Sequence, residues 1–285
     1  MSRVIFGLLW CVHWLPLWMM SRIGSLAGRV AYRLVAERRR VTLVNLEKCF
    51  PALTPAAREQ LAQAHWRAFV RAFVERSILW WGSRGRVART VRLEGLEHAA
   101  GGRVILLAPH FVGLDMGFTR IALERDVAML HSRQKDPRFE RLLHRGRSRF
   151  GRAWLYTRQQ GVRASLKALE SGALYYYLPD LDYGAHRAVF VPFFGVPAAT
   201  VTGLSFIARE TGARVVPCVT RMLPGGEGYV TRFYPAWKDF PGSDPAADAR
   251  RMNAFIEDRV REMPEQYYWM HKRFKTRPEG EARFY

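Results

Sequence analysis

His110 and Asp115 stand five positions apart in the run Ala108-Pro109-His110-Phe111-Val112-Gly113-Leu114-Asp115. A carboxylate that fixes one imidazole nitrogen lets the other take a proton from a hydroxyl. The alkoxide so formed attacks an acyl carbonyl, and no serine or cysteine nucleophile is needed. None stands in a GxSxG setting in this chain. Spacing alone is a weak signal, since most His/Asp pairs five apart do no chemistry. A second pair of carboxylates lies in Asp180-Leu181-Asp182. Two carboxylates alone rarely hold a metal, so pairing with arginines or holding a loop is the plainer reading, and no metal site is expected. A basic run, Arg141, Arg145, Arg147, Arg149 and Arg152, could contact phosphate through bidentate guanidinium bonds. Each of these taken singly reads equally well as a solvated helix face. Arg147, Arg149 and Arg158, with Asp180 and Asp182, are the candidate substrate contacts. His65 and His271 read as structural or surface residues.

The elements around the His/Asp pair decide whether it is more than chance. Arg103–Ala108 is an apolar run of buried-strand type, and Gly113–Leu123 has a helical pattern. His110 then sits at the carboxyl end of a strand, where open α/β sheets bind ligands. Asp115 falls in the first turn of the following helix, which favours a carboxylate. From there it can fold back towards the imidazole.

Further strands are predicted over Val91–Leu93, Asp126–Leu130, Ala173–Leu178, Val215–Val219 and Tyr229–Tyr234. Helices are predicted over Ser25–Leu46, Pro137–Phe150, Arg163–Leu169, Val201–Glu210 and Asp244–Met263, and from Thr54–Pro55 to Trp81, with Thr54 as N-cap and Gly82 as stop. The alternation predicts an α/β fold: a mostly parallel central sheet flanked by helices. Residues 25–285 read as one domain, with a leading helical section over 25–90, preceded by a membrane-anchoring helix over 1–24.

Val4–Met20 is apolar apart from His13, contains Pro16, and carries Trp10, Trp14 and Trp18 at a spacing of four. A span needs about 20 apolar residues, so this segment either crosses a bilayer or lies in its interface. A buried core helix and a cleaved signal peptide are the competing readings. Arg22, Arg29, Arg33 and Arg38–Arg40 follow it; they suit an anionic lipid surface and would place the domain on the cytoplasmic side. Over the whole chain 45 Lys and Arg oppose 25 Asp and Glu, a net charge of +20, which attracts polyanions. The three cysteines form no CxxC or Cys/His cluster, which argues against a disulfide framework or a structural zinc.

The motifs together resemble the secondary acyltransferases of lipid A biosynthesis, the late lauroyl and myristoyl transferases. The wider lysophospholipid acyltransferase-like group shares the His-x4-Asp pattern. The resemblance rests on APHFVGLD, on Pro179–Gly184 (PDLDYG), on Val189–Gly195 (VFVPFFG), on Ala198-Ala199-Thr200, and on Tyr268–Pro278 (YWMHKRFKTRP). It spans nearly the whole chain. It implies a glycerol-phosphate acyltransferase-like fold and an acyl carrier protein thioester as donor. The implied acceptor is a hydroxyl of a phosphorylated lipid A precursor, at the cytoplasmic face of the inner membrane. No metal or organic cofactor is implied. Carried over by position, His110 is the base and Asp115 its orienter, and Arg147 and Asp180 match further functional positions. Leu181 departs from the polar residue that many relatives have there.

Three other readings compete. One keeps this chemistry and changes the acceptor to another lysophospholipid or a glycolipid. A second is a basic nucleic-acid-binding protein, against which no helix-turn-helix, zinc finger or RNP-like motif is found, so no specific nucleic acid is expected. A third is a non-catalytic peripheral membrane scaffold. An acidic carrier protein would account for part of the +20 as a docking surface.

Overall fold

The computed structural model describes residues 3–157, 160–186 and 188–285. The leading section is helical throughout: α1 (Arg3–Val12), α2 (Leu17–Leu34), α3 (Ala36–Cys49), α4 (Pro55–Glu75), α5 (Ser77–Trp81) and α6 (Arg84–Thr90). The apolar N-terminal run is two helices rather than one. Pro16, at φ −55° and ψ 148°, stands before α2 in an extended conformation that no helix can carry through. No helix among the described residues is long and apolar enough to cross a membrane. Trp10, Trp14 and Trp18 fall on α1, the turn and α2, so they share no single helix face, yet all three are exposed. The helix expected over 25–46 breaks at Val35, whose φ of −103° and ψ of 74° are non-helical.

Thr54 caps α4 as expected, its hydroxyl accepting from the Ala57 amide, with Pro55 in the first turn. α2 lies directly against α4. A Cβ at Gly24 would stand 2.5 Å from the Arg71 Cα, and one at Gly28 2.6 Å from the Trp66 carbonyl. Only glycine permits that approach.

The α/β part contains β1 (Val91–Glu94), β2 (Val104–Leu107), β3 (Val127–His131), β4 (Ala153–Thr157), β5 (Leu174–Tyr177), β8 (Arg214–Met222) and β9 (Tyr229–Phe233) in one sheet of order β1-β9-β8-β2-β5-β3-β4. Every pairing is parallel except β8 with β9. The β6 (Ala188–Phe193) and β7 (Val196–Val201) strands form a separate antiparallel hairpin. β2 is central and wholly buried. Ile105 and Leu107 join one apolar cluster and Val104 and Leu106 the opposite one, which is why its sequence shows no polar alternation. Around the sheet pack α7 (Leu114–Ile121), α8 (Pro137–Ser148), α9 (Val162–Glu170), α10 (Gly203–Thr211) and α11 (Pro245–Glu262). α7 sits close on β8 and β9: a Cβ at Gly117 would stand 1.9 Å from the Thr220 Oγ1.

β4 and the β6–β7 hairpin were not expected from the sequence, which instead begins a helix at Val201. The hairpin turn is Phe194-Gly195, both at positive φ (51° and 78°), and Phe194 is an unusual residue for that conformation. β4 follows Gly151 and pairs with β3 at the sheet edge; all five of its residues are half-buried, so it lacks the buried apolar run that marks β2.

Candidate active site

A cavity of about 1610 Å³ opens at the carboxyl ends of β2, β3 and β5. His110, Asp115, Arg76 and Arg147 line it together with Phe69, Phe73, Leu143, Leu166 and Phe206. Most of the wall is apolar and the polar groups converge, as in sites for extended apolar ligands.

His110 follows β2 by three residues, on the rim where the sequence places it. Its orienting partner is Asp180, which follows β5, the strand beside β2. The His110 Nδ1 lies 2.7 Å from the Asp180 Oδ1, and the His110 backbone amide donates to Oδ2 at 2.9 Å. Asp180 is fully buried. Burial alone would raise its carboxyl pKa, but attraction to His110 and the two kinds of hydrogen bond from it prevail, and the net direction is down. An ionised Asp180 requires the proton of a neutral imidazole on Nδ1, leaving Nε2 as the basic nitrogen.

Asp115 is used differently. Its Oδ1 accepts from the Arg147 Nε at 2.8 Å and Nη2 at 2.7 Å, while its Oδ2 pairs with the Arg76 Nε at 3.0 Å. Burial raises its pKa and the two guanidiniums, Arg147 first, lower it further than burial raises it. No hydrogen bond joins Asp115 to His110 among the described residues. The expected orienter is thus the anchor of two arginines. The first turn of α7 delivers its carboxylate to α8 and α4, because Arg147 and Arg76 supply charges there that an imidazole would not. One carboxylate between two guanidiniums leaves net positive charge on the cavity wall, suited to an oxyanion or a phosphate.

Two other candidates, Arg149 and Asp182, lie away from the cavity wall. Arg149 does not line the cavity. It donates to the Gly82 carbonyl at 2.8 Å, capping the end of α5, and its guanidinium lies over the Phe150 ring. Its position at the C-terminus of α8 turns it away from Arg147, two residues earlier. Asp182 is buried and holds a loop: it accepts from Gly184 N, Thr276 N and Thr276 Oγ1. The Asp182 amide donates to the Nε2 of His271, a histidine that burial holds at a pKa of about 4 and hence neutral. Asp180, expected at substrate, is hydrogen-bonded to the His110 imidazole and backbone amide. Arg141 and Arg145 are exposed on α8, and Arg152 pairs with Asp126 at 3.6 Å. Arg158 lies outside the described residues.

Arg76 and Tyr268 were not singled out by the sequence for this site. Arg76 ends α4 and had no motif to mark it. Tyr268 opens the YWMHKRF run: its amide donates to the His110 carbonyl at 3.0 Å, and its ring lies 6.4 Å from the imidazole. Beside it, Val112 N donates to the Gln266 carbonyl at 2.9 Å, so the chain after α11 braces the whole His110 loop. Asn45 in turn fixes that segment by donating to the Trp269 and His271 carbonyls, each at 2.7 Å.

The chain is similar over nearly its whole length to known acyltransferases. The chain is 33% identical to a lipid A biosynthesis lauroyltransferase of Escherichia coli over 96% of its own length and 91% of the relative's. It is 30% identical to the palmitoleoyltransferase of the same organism, over 98% and 92% of the two chains. With the E. coli myristoyltransferase it shares 31% identity, over 93% and 83%. Among solved structures, a 1-acyl-sn-glycerophosphate acyltransferase from Thermotoga maritima superimposes with a TM-score of 0.39 and 14% identity, covering 85% of this chain and 97% of that one. That likeness is too slight to bear on function. The model of the bacterial lipid A biosynthesis acyltransferases matches residues 3–276, and the chain belongs to that family of acyltransferases.

Proposed function

We propose that the protein transfers a fatty acyl chain from an acyl carrier protein thioester to a hydroxyl of a lipid A precursor, with His110 as general base. The observation that carries this reading is the His110–Asp180 pair at the mouth of a large apolar cavity. Asp180 holds the proton on Nδ1, and Nε2 removes the proton of the acceptor hydroxyl. The alkoxide attacks the thioester carbonyl, and the negative oxygen of the tetrahedral intermediate is stabilised by the Arg147–Arg76 pair anchored on Asp115. Collapse expels the carrier thiolate, a good leaving group, and the imidazolium returns its proton to that sulfur. The apolar walls at Phe69, Phe73, Leu143 and Phe206 suit an acyl chain.

Family membership and charge support the proposed acceptor: phosphates on it would find the guanidiniums of the cavity wall, and an acidic carrier the +20 surface. The proposed place of action is the inner membrane at its cytoplasmic face. Val4, Leu8, Trp14, Leu26 and Leu34 are all exposed, on α1, α2 and the turn between them, and exposed Arg22, Arg29 and Arg33 run beside them. An apolar face flanked by arginines suits helices lying in an anionic bilayer interface. Acyl carrier protein and coenzyme A donors, offered separately with a lipid A precursor and with lysophospholipids, test the reading. A lipid product only from the carrier donor and the lipid A precursor is expected. Equal transfer to lysophospholipids would reassign the acceptor.

A further inference from the structure

A second cavity, of about 400 Å³, lies on another side of α4. Ser25 of α2, Arg67 and Arg71 of α4, Arg221 near the end of β8, and Glu265 line it. Three guanidiniums thus face one carboxylate. Arg71 is 7% exposed, and its Nε is taken by the buried Glu75 beneath it. Its Nη2 is buried and finds no acceptor among the described residues. Arg67 and Arg221 likewise have no hydrogen-bonding or ionic side-chain partner among the described residues. A buried guanidinium nitrogen without a partner is costly and calls for an acceptor. The close glycine contacts of α2 on α4, at Gly24 and Gly28, flank Ser25 and fix it in the wall.

We infer that this cavity binds the phosphate of an anionic membrane phospholipid, separately from the acyl-transfer site. The commitment to a lipid rests on the membrane-facing reading of α1 and α2 given above. Ser25 shares α2 with the exposed Ile23, Leu26 and Val30, so the cavity borders the helix that carries the apolar face. A phosphodiester there would accept from Arg67 and Arg221, with the Ser25 hydroxyl as a further donor and the Arg71 guanidinium beside them. Its acyl chains would continue into the bilayer along α2.

Two paired variants of the full-length protein test this. Arg67→Gln/Arg221→Gln removes the half-buried and the exposed cation from the cavity wall while leaving the buried Arg71–Glu75 pair intact. Arg29→Gln/Arg33→Gln removes the same charge from the exposed side of α2. Binding to phosphatidylglycerol and to phosphatidylcholine vesicles is measured at low salt and at about 1 M salt, where the screening length is about 3 Å. At high salt the wild type and Arg29→Gln/Arg33→Gln are expected to keep the same preference for phosphatidylglycerol. Arg67→Gln/Arg221→Gln is expected to lose about tenfold or more, the worth of one or more charge-assisted hydrogen bonds. Equal binding by both pairs at high salt overturns the inference. Inorganic phosphate separates the sources: if it raises the melting temperature of the wild type but not of Arg67→Gln/Arg221→Gln, while vesicle binding is the same for both, the ligand is free phosphate and the lipid assignment fails. A wild type that ignores phosphatidylglycerol even at low salt overturns the membrane-facing reading itself, and this inference with it.

Discussion

Replacing Asp180 with asparagine changes one atom and should disable the proposed base. The Asp180 Oδ1 faces the His110 Nδ1 at 2.7 Å, and Oδ2 faces the His110 backbone amide at 2.9 Å. An asparagine must set its NH₂ against one of these two groups. The backbone amide cannot give up its hydrogen, whereas the imidazole can move its proton. The amide oxygen therefore takes the backbone position, the NH₂ points at Nδ1, and the ring is driven to the tautomer protonated on Nε2. That nitrogen can then no longer accept the acceptor's proton. A wrong-tautomer histidine in a buried Asp-to-Asn variant of a serine protease costs about 10⁴-fold in kcat, and a loss of about 10³–10⁴-fold is expected here, with KM little changed. Single-turnover acyl transfer followed by lipid mass measures the rate, and imidazole ¹⁵N shifts in the same folded sample report the tautomer. A kcat within tenfold of wild type, with His110 still protonated on Nδ1, would refute the reasoning. A tautomer that responds instead to Asp115→Asn would return the orienting role to that residue.

Four further outcomes follow. Asp115→Asn leaves the Arg147 and Arg76 guanidiniums, both largely buried, without their counter-charge; a stability loss of about 3 kcal/mol is expected in urea unfolding, and an unchanged midpoint would contradict it. Asp115 and Asp180 both have carboxyl pKa values depressed in the fold. Their stabilisation is complete above the unfolded carboxylate range near pH 4 and drains away as pH falls through the folded values, so Asp115→Asn should flatten the acid limb of the stability curve. Arg149→Met should lower the melting temperature through the lost α5 cap but leave KM for both substrates unchanged; a raised KM would put Arg149 back at substrate. Gly117→Ala forces a Cβ to 1.9 Å from the Thr220 Oγ1, and should cost about 1–3 kcal/mol by overpacking, again read from urea unfolding.

Much of this architecture is legible in local pattern. β2 shows itself as a continuous apolar run because both of its faces are buried, and α4 declares its start through Thr54 and Pro55. Even the placement of His110 on the rim follows from strand-then-helix order. The partner of that histidine does not. Asp180 reaches His110 because β5 pairs with β2, a contact spanning 70 residues, while the spacing of five suggests Asp115. Sequence proximity misleads here because α7 aims its first-turn carboxylate at arginines from α4 and α8, a fact of tertiary packing. For the same reason Arg76, a lone basic residue at a helix end, carried no signal. Leu181 between the two aspartates lines the cavity while Asp182 turns away to Thr276; adjacent residues of a motif thus serve two separate purposes. The break at Val35 contains neither glycine nor proline and had no local mark.

The most direct test of the account compares wild-type protein with His110→Ala, both shown to be folded in detergent, on acyl carrier protein thioesters and a lipid A precursor. Product lipids are weighed by mass spectrometry. An added acyl mass from the wild type and none from His110→Ala is the predicted result. Undiminished transfer by His110→Ala would contradict the general-base assignment on which the mechanism stands.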